Sequence, residues 1–180
     1  MFAGNRPEGS MSMIFDFGIA DILFKFPEDQ EQLKDEKLVT QLTQKSVDIC
    51  QVLGHMFDGF KKQMEENGEV KYCGRTISTD KNTLKELQMR CFYTGMLLPF
   101  FDYTVIRGKG AKKAPQSVVL HILATSLTRS NEIQKFVMET SKHVSKAQDF
   151  EDRLMANAKL LEDSDAKLEL GKYLRESGPR

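Results

Sequence analysis

Between Arg107 and Lys113 the chain reads RGKGAKK, which places four positive charges, Arg107, Lys109, Lys112 and Lys113, on a backbone interrupted by two glycines. Cations neutralise phosphate, and glycine lets the backbone approach it closely, so this spacing is that of a phosphate or polyanion grip. Phe100, Phe101 and Tyr103 lie just ahead of it and are of the kind that stack on bases. Lys135, Lys142 and Lys146, seven and four residues apart, extend the charge along one face of a helix. The opposing reading is plain: the lysines are solvated and the aromatics belong to the core. Gly108-Lys109-Gly110 lacks the Lys followed by Ser or Thr that a nucleotide phosphate loop needs.

Two residues invite a catalytic reading. His121 sits between Leu120 and Ile122 in an apolar helical stretch, where an imidazole is either poised as a base or a satisfied interior group. Cys73 lies between Lys71 and Arg75, whose charges favour a thiolate, but no base accompanies it. Metal chemistry is excluded at the level of motif. No HExxH occurs, and the residues three before His55, His121 and His143 are Val52, Val118 and Thr140, where a di-iron bundle needs Glu. The sequence therefore assigns no catalytic residue, metal or cofactor.

The third feature is apolar. Phe15, Ile19, Ile22 and Phe26 recur at steps of four, three and four, one helical stripe in a segment (13–26) that is greasy nearly all round. It is too short to cross a bilayer and carries Asp16, Asp21 and Lys25, so it reads as structure: core, or an arm docking into a neighbour. It also fits neither a secretory signal nor a mitochondrial presequence.

These features need elements to carry them. Pro27 and the acidic run after it separate the arm from a long helix starting near Glu31. Its apolar positions Leu38, Leu42, Ile49, Leu53, Met56, Phe60 and Met64 keep steps of three and four, with Ser46 where the seam skips, until Asn67 and Gly68 stop it. Residues 69–77 are strand-like around Gly74. Thr83 and Glu86 form a capping box for a second helix over 83–98. A long connection over 99–114 follows, strand-like in its first half. Pro115 suits the first turn of a third helix, and Ser130 caps a long fourth one.

The expected fold is all-α: a bundle of four to five helices with two long antiparallel members, with residues 70–77 forming either a small β-hairpin or an extended crossing. The expected organisation is a polar tail over 1–12, one helical domain over 13–176, and a second tail over 177–180. With 180 residues the chain is long enough to bury a core without disulfides. Three widely spaced cysteines agree with a reducing, intracellular setting.

Charge is balanced at 26 of each sign, yet residues 103–148 hold eight cations against Glu132 and Glu139, a local excess of six that the rest offsets. Such asymmetry orients a subunit on a partner or draws two halves of one fold together. The leading functional expectation is a non-catalytic scaffold or assembly subunit of a larger complex. It docks on other protein subunits, or on further copies of itself, through the apolar arm and charged helix faces. The second is an RNA-associated protein gripping phosphates with residues 107–113. The third is a small enzyme with its site at His121 or Cys73.

Overall fold

A computed structural model describes residues 7–19, 33, 35–72, 75–77, 80–107 and 114–156. Helix α1 runs from Pro7 to Asp16. Proline at the first helical position loses nothing, because that N–H would have no partner within the helix. Pro7, Met11 and Ile14, at steps of four and three, are buried. The helix thus starts inside the stretch expected as a polar tail, on a short stripe that the glycine-rich composition around it masks. It also stops early. Gly18 takes φ +63°, and the Ile19 N–H donates to the Ile14 carbonyl at 2.9 Å, a left-handed helix ending that glycine makes cheap. Phe15 and Ile19 consequently do not continue on one helical face, which corrects the expected stripe. Ile22 and Phe26 lie outside the described residues.

Helix α2 spans Glu36–Asn67. Asp35, not a residue near 31, caps it: one carboxylate oxygen accepts the N–H groups of Lys37 at 3.0 Å and Leu38 at 3.4 Å. Its far end is the expected one, with Gly68 at φ +71° donating its N–H to the Met64 carbonyl. Strands β1 (Val70–Tyr72) and β2 (Arg75–Ile77) form an antiparallel hairpin, one of the two forms expected there, with Val70 opposite Ile77. Gln63 on α2 accepts the Lys71 N–H at 2.7 Å and ties the hairpin back.

Helix α3 covers Lys81–Leu97 and begins two residues before the expected start. Asp80 is the cap, accepting from the N–H groups of Asn82 at 2.7 Å and Thr83 at 2.8 Å. The Thr83 hydroxyl donates to the other Asp80 oxygen, while Glu86 pairs with Arg90 one turn on. The capping box is therefore not formed, because a carboxylate is the stronger acceptor and stands in the right place. Pro99 falls in a 3-10 turn over Leu98–Phe100 that closes the helix.

Strands β3 (Thr104–Arg107) and β4 (Ala114–Ser117) pair antiparallel, with Thr104 opposite Ser117 and Arg107 opposite Ala114. Pro115 lies in β4, not in a helix, and Ser117 caps α4 (Val118–Thr125) by accepting the Val119 N–H at 3.2 Å. A proline is tolerated in a ribbon of two edge strands. Helix α5 extends over Asn131–Ala156, with the Ser130 hydroxyl accepting the Ile133 N–H at 3.5 Å. The all-α architecture is thus as expected: five α-helices among the described residues, two of them long, with small hairpins.

The chain divides into two compact units, residues 1–138 and 139–180. The first holds an interior built on Phe57, Phe92, Met96, Leu97, Phe100, Val105, Ile122, Leu123 and Val137, all fully or almost fully buried. Within it α2 and α3 run antiparallel. Ser46 meets Met96, Phe57 packs on Phe92 with ring centroids 6.3 Å apart, and Lys61 and Met64 face Leu84 and Gln88. In the second unit, α5 continues with Gln148 donating to Asp152 at 3.2 Å.

Candidate functional site

Three of the five exposed large apolar side chains among the described residues of the first unit cluster at the C-terminal end of α1. Met13 and Phe17 lie four residues apart, hence on one side of the chain as the helix closes, and are 56% and 68% exposed. Ile19, after the glycine turn, is 39% exposed. The other side of α1 is anchored. Met11 and Ile14 are buried, and α1 approaches α2 so closely that a Cβ on Gly54 would stand 3.0 Å from the Glu8 side chain. Anchored on one face and bare on the other, this helix holds Met13 and Phe17 at fixed positions. An exposed phenylalanine beside an exposed methionine loses free energy to water, and burying each against a partner recovers about 1.5–3 kcal/mol. The sequence signal was an i, i+4 pair lying off the stripe through Phe15. The side chain of Phe15 is outside the described residues.

The basic segment is only partly placed. The register of β3 and β4 sets Arg107 opposite Ala114, so the residues between them are the connection of a hairpin. Lys109, Lys112 and Lys113, and the Arg107 side chain, lie outside the described residues. The aromatic residues ahead of it are placed, and Phe100 at least is taken up by the core. Phe100 is fully buried, and Phe101 and Tyr103 are half-buried against the core. The Tyr103 N–H donates to the Phe100 carbonyl at 3.2 Å, and its own carbonyl accepts the Val118 N–H at 2.9 Å. Arg129 is likewise committed: its guanidinium lies 5.4 Å from the centre of the Tyr93 ring and donates to the Leu127 carbonyl. Burial raises the Tyr93 phenol, and the Arg129 charge opposes that rise. Lys135, Lys142 and Lys146 are exposed on α5, the first in one unit and the others in the second.

His121 is half-buried on α4, its carbonyl accepting the Thr125 hydroxyl at 2.6 Å. Cys73 lies outside the described residues. The two described thiols are interior: burial pushes Cys50 up to about 12 and Cys91 up to about 11, so both are protonated near neutrality and act as small apolar groups. Among the described residues no cluster of three metal-ligating side chains occurs, and no helix is long and apolar enough to cross a membrane.

One concavity has no counterpart among the sequence motifs. Between the last turns of α2 and the first turns of α3 lies a cleft of about 180 Å³, with Met64 and Leu84 in its walls and Lys61, Lys81 and Lys85 about it. Gln88 lines it too, only 3% exposed, and among the described residues no group accepts the hydrogen bonds of its buried side-chain Nε2. The signal was available: Gln88 is the polar member of the buried run Leu84, Gln88, Phe92 at steps of four. Comparison of the chain with protein-family models, with curated proteins and with solved structures finds no match.

Proposed function

We propose that the protein is a non-catalytic helical subunit that docks on protein neighbours through the exposed end of α1. The observation that carries this reading is the two-sidedness of that helix. Met11 and Ile14 lock it to its own fold, while Met13, Phe17 and Ile19 remain in solvent. Because the exposed side chains contribute little to the core, Met13→Asp with Phe17→Asp should leave the melting temperature within a few degrees of wild type. The pair should nevertheless remove the chain from its assembly. Light-scattering mass on material from the native source checks this: wild type well above 20.5 kDa, the double variant near that monomer value. Equal masses for the two would sink the reading. A recombinant wild-type chain that is itself a multimer would identify the neighbour as a second copy.

A second reading rests on the β3–β4 register, which makes the segment with Lys109, Lys112 and Lys113 a hairpin connection beside Arg107. A basic hairpin end is suited to RNA phosphates. The chain has no Trp and four Tyr, so bound RNA would dominate the 260 nm absorbance. Reversing Lys109, Lys112 and Lys113 to Glu should weaken RNA binding and flatten its dependence on salt by roughly one unit of log–log slope for each phosphate no longer neutralised. An unchanged slope would remove this reading and leave the first.

A further inference from the structure

We propose that the open edge of β3 pairs antiparallel with the β3 edge of a second copy of this chain, across a two-fold axis at Val105. This contact is independent of the docking role of α1. The ladder within the hairpin fixes which groups face the edge. In an antiparallel pair, opposite residues alternate between exchanging two hydrogen bonds and exchanging none. Pro115 has no N–H, so Ile106, opposite it, belongs to a pair without bonds, and so does Thr104 opposite Ser117. The Val118 N–H donating to the Tyr103 carbonyl at 2.9 Å continues the same alternation one residue further on. The N–H and C=O groups of Thr104 and Ile106 therefore point away from β4, and among the described residues they meet no other backbone group.

The side chains point the same way. Val105 is buried, Thr104 is exposed, and Ile106 is 57% exposed, a bare isoleucine on a bare strand edge. Two other edges are closed: on β4 Pro115 presents no N–H, and on β1 the Lys71 N–H is taken by Gln63 at 2.7 Å. An apolar edge left open beside closed ones is a template for another strand. Charge selects the occupant. Asp102 is exposed just before β3 and, among the described residues, has no ion-pair partner, while Arg107 ends the strand. Antiparallel pairing of this segment with itself brings the acidic end of each copy to the basic end of the other. With Thr104 opposite Ile106 of the second copy, and Ile106 opposite its Thr104, every outward group of both strands is used and Val105 lies on the axis. Arg107 then falls one position from Asp102 of the second copy, whereas the two Arg107 residues stand four positions apart, about 14 Å. Parallel pairing would set like charges side by side.

The test is sedimentation equilibrium of the recombinant full chain over a dilution series. The mass should rise from 20.5 kDa to twice that value with a Kd of about 10–100 μM, weak because the contact is small. Ile106→Pro removes an outward N–H and leaves the ladder with β4 whole, so it should fold and weaken the dimer at least about tenfold. Where the proline ring disturbs β3, Ile106→Lys tests the same edge through its exposed side chain and should weaken the dimer comparably. Asp102→Lys, outside the strand, should weaken it by about threefold to tenfold at low salt. Asp102→Lys with Arg107→Asp exchanges the charged ends and should restore the dimer to within about threefold of wild type. Met13→Asp with Phe17→Asp should leave it unchanged. A wild-type chain that stays at 20.5 kDa up to about a millimolar, or Ile106→Pro and Ile106→Lys dimers as tight as wild type, would overturn the edge pairing. Loss of the dimer in the Met13 and Phe17 variant would move the contact to α1 and overturn it equally. A charge exchange that restores nothing would overturn the antiparallel register.

Discussion

The α2–α3 interface has two ends built on opposite terms. Where the end of α3 meets the early turns of α2, backbones nearly touch. A Cβ on Gly95 would stand 2.7 Å from a Leu53 methyl and 2.9 Å from the Ile49 γ-methyl. The buried polar group here is satisfied: Ser46, fully buried, donates to the Met96 carbonyl at 2.7 Å and lies 3.1 Å from that of Leu42. Met96 lies in the last turn of α3, where carbonyls run out of intrahelical donors, so the hydroxyl supplies one. A few helical turns away these conditions reverse. The helices part around the cleft, and Gln88 is almost as deeply buried as Ser46, but among the described residues its Nε2 has no acceptor. A polar residue that closes a contact is part of the fold's own stability. One left without an acceptor is a cost that the rest of the packing has to offset.

That contrast can be broken first at its tight end. Gly95→Val forces side chain into occupied space, and the Ile49 methyl, on a β-branched side chain, has little freedom to retreat. Overpacking of this kind should cost about 3 kcal/mol in chemical denaturation. Gly59 on α2 has no described atom within 4 Å of its Cβ direction, so Gly59→Ala serves as the control and should be neutral or slightly stabilising. Equal effects at the two glycines would deny that the interface is tight near Gly95. Next comes Ser46→Ala, which strips the hydroxyl from the Met96 carbonyl. The loss should be about 1–2 kcal/mol, reduced from the full desolvation penalty by the better helix propensity of alanine. A neutral Ser46→Ala would place Ser46 and Gln88 in the same class and dissolve the comparison.

How much of this was written in the chain depends on the residue. Gly68 and Ser130 were legible as helix boundaries because their chemistry is local: a left-handed turn needs glycine, and a hydroxyl suits an N-cap. Thr83 and Pro115 mislead for a related reason. Each matches a helix start on its own, but Asp80 is a stronger acceptor three residues upstream of Thr83, and Pro115 is held in a strand by pairing with Ile106. Pairing is not local, so no window of sequence displays it. The exposed apolar end of α1 was half legible. The apolar segment was evident, whereas the side of α1 that it turns to solvent depended on Gly18 ending the helix after Asp16. The cleft was illegible because a stripe drawn through Leu84, Leu87, Cys91 and Leu98 leaves Gln88 off it. The helix buries Leu84 as that stripe has it but then Gln88 and Phe92 more deeply than Leu87 and Cys91, a choice that only the fit against α2 decides.

The smallest effect tests the open end. Asp80 holds the start of α3, next to Lys81 at the cleft, with its whole carboxylate in solvent. Hydrogen bonds from the Thr83 N–H, the Thr83 hydroxyl and the Asn82 N–H favour the ionised form and hold its pKa below the usual carboxylate value. The sign follows from linkage. A carboxylate with a folded pKa below its unfolded one, about 3.9, adds stability that is fully present above that value and disappears as pH falls through the folded pKa. Asp80→Asn keeps an acceptor for the backbone N–H groups but cannot titrate. Wild type should therefore exceed Asp80→Asn by a constant margin from neutral pH down to about pH 5, and the margin should shrink steadily below about pH 4. The margin should be smaller than the loss from Ser46→Ala, since water can replace an exposed cap but cannot reach the Met96 carbonyl beside a fully buried Ser46. If it were the larger of the two, the cleft end and not the glycine end would be the one that holds α3 in place.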